Sequence, residues 1–253
     1  MTGAMEAEFD TIAEWTAHVA LDLGTDYYVP AGCRGSGSPA ALDWLLAEMG
    51  LDDGAALLDC GAGVGGPAAY AADTRSVRPL LVEPEAGACR AAATLFGHPV
   101  VRAAGSALPV ADATVDAAWS LGVLCTMPDQ EALLRELVRT VRPGGAIGLL
   151  AFVAHGEISR DQLPDNYFPT EDRLDELFGA AGLRVESRRC TAELPAIPDE
   201  WSGRVDAVTD ALSERYGHTR AWRLAEAQSS RIGQLLSDGT LTGELLVLRG
   251  AQR

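Results

Sequence analysis

An acid, a glycine loop and a helix start follow one another between residues 55 and 72 of this 253-residue chain. The segment reads AALLDCGAGVGGPAAYAA, an apolar strand pattern that ends at Asp59 and is followed by glycines at positions 61, 63, 65 and 66. Glycines let a ligand approach the main chain closely, and the N–H groups at a helix start face such a ligand. The segment therefore predicts a site for a nucleoside cofactor.

The charge of Asp59 separates the two cofactors that such a loop could hold. GAGVGG fits the glycine patterns of both dinucleotide and S-adenosylmethionine sites, so the glycines alone leave both open. An acid at this position repels a pyrophosphate, whereas it attracts the sulfonium and ammonium of S-adenosylmethionine by about 4 kcal/mol at about 4 Å and an effective dielectric constant of about 20. The pattern favours S-adenosylmethionine. The alternative is that Asp59 caps the following turn and touches no ligand.

Composition excludes several classes of function. The formal charge of −16 repels phosphate polymers and anionic membranes, so we expect neither nucleic acid nor a membrane as a partner. All 20 residues in the Lys+Arg count are arginines, which excludes P-loop kinases and pyridoxal enzymes because both need a lysine. The five cysteines form no C-x-x-C pair, so neither a disulfide framework nor a metal site is predicted.

Further features of the composition bear on location and size. No apolar run approaches the roughly 20 residues that cross a bilayer, and the start MTGAMEAEFD lacks the features of a signal peptide, so we expect a cytoplasmic protein. With 47% apolar residues the chain can bury one sizeable core. We predict one domain over 1–253, made of an N-terminal helical cap (1–50), a cofactor-binding core (51–190), a helical lid insertion (191–240) and a final strand (241–253).

Short apolar runs alternate with helical patterns along the core, which predicts an α/β fold with a doubly wound sheet. Two helices precede the first strand, and two further helices separate the last two strands. The predicted strands are 55–60, 79–83, 100–101, 115–120, 146–153, 183–190 and 244–249. The predicted helices are 5–23, 39–49, 66–73, 85–95, 129–141, 170–181, 199–215 and 219–236.

Four stretches carry a resemblance to a known family. They are LLDCGAGVGG, LLVEPE, ALPVADATVDAAWS and LLRELVRTVRPGGAIGLL, and their order and approximate spacing resemble the class I S-adenosylmethionine-dependent methyltransferases. The similarity covers roughly residues 50–190 and is strongest to the small-molecule branch with the ubiquinone and menaquinone methyltransferases. It implies a seven-stranded, mostly parallel sheet in which the last strand lies antiparallel beside the fifth. It also implies methyl transfer. Ten of the fifteen aromatic residues lie before residue 30 or after residue 155, which favours an enclosed apolar pocket and a small organic acceptor, for which a secondary metabolite is one candidate; the alternative is that these aromatics pack the extra helices.

The resemblance assigns the cofactor contacts residue by residue. Glu83 matches the acid that accepts both ribose hydroxyls, a task that suits a carboxylate because it has only acceptor atoms. Ala104 stands where relatives commonly carry an Asp for the adenine amino group, so Ser106 or a backbone carbonyl would make that contact instead. The predicted cofactor-binding residues are Asp59, Gly61, Ala62, Gly63, Glu83, Pro84, Ser106, Ala107, Leu108, Leu121 and Gly122.

Displacement at a sulfonium methyl needs an aligned acceptor and the exclusion of water more than it needs catalytic groups. His155 follows the fifth strand at the edge where open parallel sheets bind ligands, so it is the predicted general base, with Tyr28 as a second catalytic candidate. Tyr27, Asn166 and Tyr167 are predicted to contact the acceptor. The alternatives are that His155 begins a solvated loop and that the paired tyrosines serve as apolar packing.

Two other functions fit parts of the pattern. An NAD(P)-dependent oxidoreductase would share the glycine loop and Glu83, although Asp59 and the order of the four stretches favour a methyltransferase. A protein of methyltransferase fold that binds S-adenosylmethionine without methylating, as a cyclase or a binding partner, would fit the lack of a compelling base. The sequence leaves the acceptor atom and the oligomeric state open.

Overall fold

A computed structural model describes residues 7–159 and 163–251, which form a seven-stranded sheet flanked by helices. The strand order is β3-β2-β1-β4-β5-β7-β6. Strands β1 to β5 pair in parallel, and β7 pairs antiparallel with both β5 and β6. The predicted α/β sheet with its final strand beside the fifth is confirmed. The strands are β1 Ala56–Cys60, β2 Arg78–Glu83, β3 Val100–Arg102, β4 Ala117–Leu121, β5 Ile147–Ala154, β6 Leu183–Cys190 and β7 Leu241–Gly250.

The helices follow the predicted pattern closely, with one addition near the N-terminus. A π-helical turn, Ala7–Ile12, precedes the first α-helix where a single helix over 5–23 was predicted; residues 5 and 6 lie outside the described range. A short helix, Tyr28–Gly32, lies between the first two predicted helices, where no helix was predicted. The helices are α1 Ala13–Leu23, α2 Tyr28–Gly32, α3 Pro39–Met49, α4 Gly66–Arg75, α5 Ala86–Phe96, α6 Gln130–Thr140, α7 Glu171–Ala181, α8 Asp199–Tyr216 and α9 Arg220–Ser237.

Helix α3 shows how local chemistry sets the boundaries. The hydroxyl of Ser38 accepts a hydrogen bond from Ala41 N at 3.3 Å, and Pro39 occupies the first turn, where a missing N–H is tolerated. Gly50 ends the helix in the left-handed conformation, with φ of 62°. These signals are all visible in the sequence, which is why the predicted bounds of 39–49 match.

The central strands are buried on both faces, as expected for a parallel sheet covered by helices. Leu57 and Trp119 pack on one face with α3, while Leu58 packs on the other face with residues of α6 and α7. Strand β4 is buried along its whole length. This rigid centre fixes the strand ends from which the loops of the site emerge.

The N-terminal helices and the two helices before β7 pack together beyond the carboxyl ends of the strands. Helix α1 contacts α5 and α8, and the π-helical turn contacts α9. The rings of Trp15 and Tyr216 stack with centroids 3.9 Å apart, and Arg215 pairs with Asp22 at 2.6 Å. Among the described residues, no helix combines the length and the apolar character needed to cross a membrane.

Candidate active site

A cavity of about 310 Å³ lies at the carboxyl ends of β1, β2 and β4. Its size falls in the range of small-molecule sites. The wall is formed by the glycine loop, the strand ends, the N-terminal segments and one face of α9. Seven residues predicted for the site lie on this wall: Gly61, Gly63, Glu83, Pro84, Leu121, Gly122 and Asn166.

Glu83 ends β2 and is 5% exposed on the cavity wall. Its Oε2 atom accepts a hydrogen bond from Gly63 N at 2.9 Å, and its Oε1 atom accepts one from Glu85 N at 2.9 Å. Burial raises the pKa of Glu83 to about 7, against the lowering effect of these two hydrogen bonds. Each carboxylate oxygen has a second lone pair, so the group can still accept two hydroxyls from the cavity.

Asp59 lies at the end of β1 beneath the cavity and is not part of its wall. It is 2% exposed, and its Oδ2 atom is buried without a hydrogen-bond partner among the described residues. Burial raises the pKa of Asp59 to about 7; the indole of Trp119 lowers it without reaching normal hydrogen-bond geometry, and the charge of Glu83 raises it further. A nearby cation would stabilise both ionised carboxylates.

The glycine loop has the shape of a cradle for a ligand. Gly63 has φ of +53°, lies on the cavity wall, and would place a Cβ in open space. Gly61 has φ of +77°, and a Cβ there would lie 2.3 Å from Val123 Cγ2. Gly63 therefore leaves room for a group against the main chain, whereas Gly61 is needed because Val123 packs against it. Together with a buried acceptor at Glu83 and an unsatisfied acid at Asp59, the loop fits the sugar and the cationic end of S-adenosylmethionine.

A segment between α2 and α3 covers this loop and supplies wall residues that the sequence-based prediction missed. A Cβ on Gly66 would lie 2.2 Å from the carbonyl carbon of Gly32, so the two backbones pack directly. A Cβ on Gly122 would lie 2.9 Å from Gly35 O. These close approaches place the side chain of Arg34 on the wall. The signal in the sequence is the glycine-rich stretch CRGSGSP, for which no site residue was predicted.

Asn166 and Tyr167 lie in a loop that crosses the end of β4. The main-chain N–H of Tyr167 donates to Cys125 O at 2.6 Å. Gln130 Nε2 donates to Tyr167 O at 2.6 Å and to Leu124 O at 3.1 Å. These contacts hold Asn166 on the wall of the main cavity, whereas Tyr167 lines a smaller neighbouring space that Asn166 also borders.

Several predicted cofactor residues lie away from the wall. Ala62 is buried beneath the loop, and Leu108 is buried in the core, where its N–H donates to Glu136 Oε2 at 2.7 Å. Ser106 and Ala107 are exposed, while the preceding Gly105 is on the wall. The predicted adenine contact through Ser106 stays a prediction.

The two predicted catalytic side chains are also away from the wall. His155 is exposed, and its Nε2 atom lies 2.8 Å from Thr242 Oγ1 on β7. Tyr27 and Tyr28 pack in an apolar cluster with α1, α5 and α8, where the Tyr28 ring meets Phe96 edge-on at 6.4 Å. This is the packing alternative considered for the tyrosines. Their catalytic and binding roles stay predictions that this geometry does not favour.

The opposite side of the cavity comes from elements outside the four resembling stretches. The π-helical turn, the first turn of α1, the β4 and β5 ends and α9 contribute mostly apolar side chains with a few neutral polar ones. The wall residues from these elements include Phe9, Ile12, Thr16, Cys125, Thr126, Phe152, Gln228, Ser229 and Ile232. The predicted helical insertion gave the only sequence signal for α9. Within the described ranges, no three His, Cys, Asp or Glu side chains gather at a possible metal site.

Comparison with known proteins agrees with this geometry. A family model described as a methyltransferase domain matches residues 58–149. The malonyl-[acyl-carrier protein] O-methyltransferase of Pseudescherichia vulneris is 30% identical over 183 residues, which cover 71% of this chain and 67% of that protein. The chain belongs to the class I methyltransferase family. An uncharacterized protein of Mycobacterium tuberculosis is 27% identical to this methyltransferase over 242 residues, covering 83% of this chain and 85% of the relative.

The fold of this methyltransferase also matches solved structures. The [4+2]-cyclase SpnF superposes with a TM-score of 0.66 at 20% sequence identity, covering 84% of this chain and 80% of that one. At this identity the match shows the shared fold alone. The resemblance to the family is thus confirmed, while the closer assignment to the ubiquinone and menaquinone branch stays a prediction.

Proposed function

We propose that this methyltransferase uses S-adenosylmethionine to methylate a small organic acceptor. The observation that carries the proposal is the position of Glu83, a buried carboxylate on the cavity wall whose oxygens are oriented by two main-chain N–H groups. Such a group is suited to accept the two ribose hydroxyls of a nucleoside. The negative charges of Glu83 and Asp59 would repel a phosphate at this place.

Three features would hold the rest of the cofactor. The main chain at Gly61 and Gly63 would lie against the methionine portion, because these two glycines expose main chain to the cavity beside Glu83. Arg34 offers a guanidinium for the methionine carboxylate, since such pairs are strong and directional. The charge of Asp59 would favour the ammonium and sulfonium from beneath the loop. When bound, the cofactor supplies a methyl group already activated by its positive sulfur.

The chain's own residues then have to align the acceptor and exclude water. Phe9 and Ile12 from the π-helical turn and Ile232 from α9 line the cavity beyond the glycine loop. Helix α9 and the π-helical turn are in contact with each other on that side. This largely apolar surface supports an enclosed small organic acceptor, such as a secondary metabolite or a quinone precursor, over a side chain on a protein surface.

Calorimetry tests the cofactor assignment. Purified protein should bind S-adenosylhomocysteine and S-adenosylmethionine, and NADH should give no heat. Binding of NADH without binding of S-adenosylhomocysteine would replace the proposal by the oxidoreductase alternative.

A second candidate function is binding of the cofactor without methyl transfer. It is favoured by the placement of His155 away from the cavity wall and by the fold shared with a [4+2]-cyclase. Mass spectrometry after incubation with methyl-labelled S-adenosylmethionine separates the two functions. Label in a small-molecule product supports the methyltransferase, whereas retention of intact cofactor beside a converted but unlabelled substrate supports the cyclase.

A further inference from the structure

Asn166 is the one asparagine in the sequence, and its side chain lies on the cavity wall. The residue is 7% exposed, and its Nδ2 atom is buried without a hydrogen-bond partner among the described residues. A buried amide without a partner costs about 1–3 kcal/mol. A ligand that accepts a hydrogen bond at this point would remove that cost.

The loop that carries Asn166 is held by its own main chain. Asn166 N donates to Leu163 O at 3.1 Å, and the adjacent Tyr167 is bonded to Cys125 and Gln130. The side-chain amide is therefore positioned by neighbours that do not use it.

The polar side chains that the loop after β4 places on the cavity wall are occupied or neutral. The hydroxyl of Thr126 donates to Val123 O at 2.8 Å, and the thiol of Cys125 contacts Gly122 O at 3.4 Å. Burial raises the pKa of Cys125 to about 12, so the thiol stays neutral. The acidic wall residues, Glu83 and Glu85, lie at the sugar side of the cavity. On the acceptor side, Asn166 is the buried amide donor among the described wall residues; Gln228 and Ser229 of α9 are less buried, and the hydroxyl of Thr16 donates to Ile12 O.

We propose that the acceptor is an apolar monocarboxylic acid that is methylated on its carboxylate oxygen. The inference rests on the proposed function and specifies the substrate class of the same site. One carboxylate oxygen accepts the N–H of Asn166 Nδ2, and the other attacks the methyl carbon. An O–CH₃ bond forms as the S–CH₃ bond breaks, and the bonding electron pair stays on sulfur. The products are a methyl ester and neutral S-adenosylhomocysteine.

This chemistry agrees with the position of the ionisable groups. A carboxylic acid is ionised at neutral pH, so its reaction releases no proton and requires no general base. The anionic nucleophile is attracted to the positive sulfur, while the apolar wall from Phe9, Phe152 and Ile232 accommodates the remainder of the acid. The proposed reaction therefore needs no proton transfer by His155, whose side chain contacts Thr242 and lies off the cavity wall.

The single asparagine permits a direct spectroscopic test. Protein labelled with ¹⁵N only in asparagine gives one side-chain NH₂ pair, from Asn166, in a heteronuclear NMR spectrum. With S-adenosylhomocysteine bound, octanoate and trans-cinnamate should shift this pair in a saturable manner, whereas n-octanol and cinnamyl alcohol should not. Equal shifts with the alcohols, or no shift with either acid, would overturn the carboxylate assignment.

Variants connect that contact to turnover. Asn166→Asp keeps the side-chain shape but places a negative charge before the carboxylate, and Asn166→Leu removes the donor without adding charge. Both should weaken acid binding about 10- to 100-fold, as expected for a hydrogen bond to a charged group, and lower formation of base-labile methyl ester from labelled S-adenosylmethionine. Gln234→Glu makes the same amide-to-acid change at an exposed position of α9. This control should leave acid binding and methyl ester formation unchanged.

The two proposals fail in different ways. If S-adenosylhomocysteine does not bind to the unmodified protein, the proposed function itself is wrong. A second outcome is that S-adenosylhomocysteine binds equally to the unmodified protein and to Asn166→Leu, while the acids neither shift the Asn166 signals nor receive the labelled methyl group. In that case only the substrate class is wrong. Labelling of the alcohols in place of the acids would likewise overturn the substrate class and leave the methyltransferase function standing.

Discussion

The Oε2 atom of Glu83 accepts a hydrogen bond from the main-chain N–H of Gly63 at 2.9 Å, which joins the end of β2 to the glycine loop after β1. Its other oxygen accepts from Glu85 N just before α5. One buried side chain thus shapes two loops of the cavity while facing the cavity itself. Gly63 and Glu83 are 20 residues apart in the sequence, and the parallel pairing of β1 with β2 brings them together.

Replacing Glu83 by Gln should weaken cofactor binding strongly. The new amide offers one acceptor oxygen in place of two, so its NH₂ group faces either a main-chain N–H or a ribose hydroxyl position. We expect the Kd for S-adenosylhomocysteine, measured by calorimetry, to rise by about 10- to 100-fold, as for loss of a hydrogen bond to a charged group. Glu226→Gln, at an exposed site on α9, is the matched control and should bind normally. Equal Kd values for both variants would contradict the assignment of Glu83.

Cofactor binding should tighten as the pH rises through about 7. Burial raises the pKa of both Asp59 and Glu83 to about 7, so a large fraction of these groups is protonated at pH 6 and becomes ionised by pH 8. A cationic ligand favours the ionised forms and therefore releases protons on binding. Calorimetry in buffers of different ionisation enthalpy should show this release, with affinity changing about 10-fold between pH 6 and pH 7.5. A cofactor affinity that does not change with pH would contradict the proposed attraction between the ionised carboxylates and the cationic cofactor.

The stability of the free protein should change with the opposite sign. Because the folded-state pKa values of these acids lie above their ordinary values, folding is favoured by protonation, and this contribution falls as the pH rises from about 4 to about 7. Asp59→Asn removes one of the buried charges, so it should raise the Tm of the free protein at pH 8 while weakening S-adenosylhomocysteine binding. A lowered Tm at pH 8 would show that the charge of Asp59 is already compensated.

The sheet could be predicted from the sequence because the residues that define each strand or helix are close together in the chain. Strands such as β5 have a distinct apolar pattern, and α3 has a cap, a proline and a terminal glycine within its own segment. The short helix α2 was missed because Gly32 and Pro30 indicate turns. Its helical form depends on packing against Gly66, which lies 34 residues away and is invisible to a local pattern.

The same distinction between local sequence signals and tertiary contacts applies to the site residues. The positions of Glu83, Gly61 and Gly63 on the cavity wall could be predicted, because their residue types and spacing lie within one strand–loop–helix pattern and the strand that follows it. His155 was proposed from its place after β5, but the antiparallel β7 alongside offers Thr242 as a partner, and the side chain lies off the cavity wall. Arg34 reaches the wall only because Gly35 approaches Gly122, a tertiary contact that no spacing indicates.

Gly66→Ala should disrupt the segment that covers the cavity. The added Cβ would lie 2.2 Å from Gly32 C and 2.5 Å from Cys33 N, both main-chain atoms that cannot rotate away. We expect a loss of about 1–3 kcal/mol in the free energy of unfolding, as for overpacked sites, together with weaker S-adenosylhomocysteine binding. Gly179→Ala in α7, where a Cβ meets open space, should instead raise stability by about 0.5–1 kcal/mol. Urea unfolding of both variants distinguishes these outcomes, and equal effects would contradict the close α2–α4 packing.

Gln130→Leu should separate acceptor binding from cofactor binding. Gln130 is 8% exposed, and its Nε2 atom donates to Leu124 O and Tyr167 O, which fixes the loop carrying Asn166 against the end of β4. The leucine leaves both carbonyls without this donor, so we expect a loss of about 1–3 kcal/mol in stability. Because neither carbonyl belongs to the glycine loop, the Kd for S-adenosylhomocysteine should stay within about 2-fold, while the ¹⁵N-asparagine signals shift and broaden and the acceptor KM rises. Unchanged asparagine signals would show that Gln130 does not position this loop.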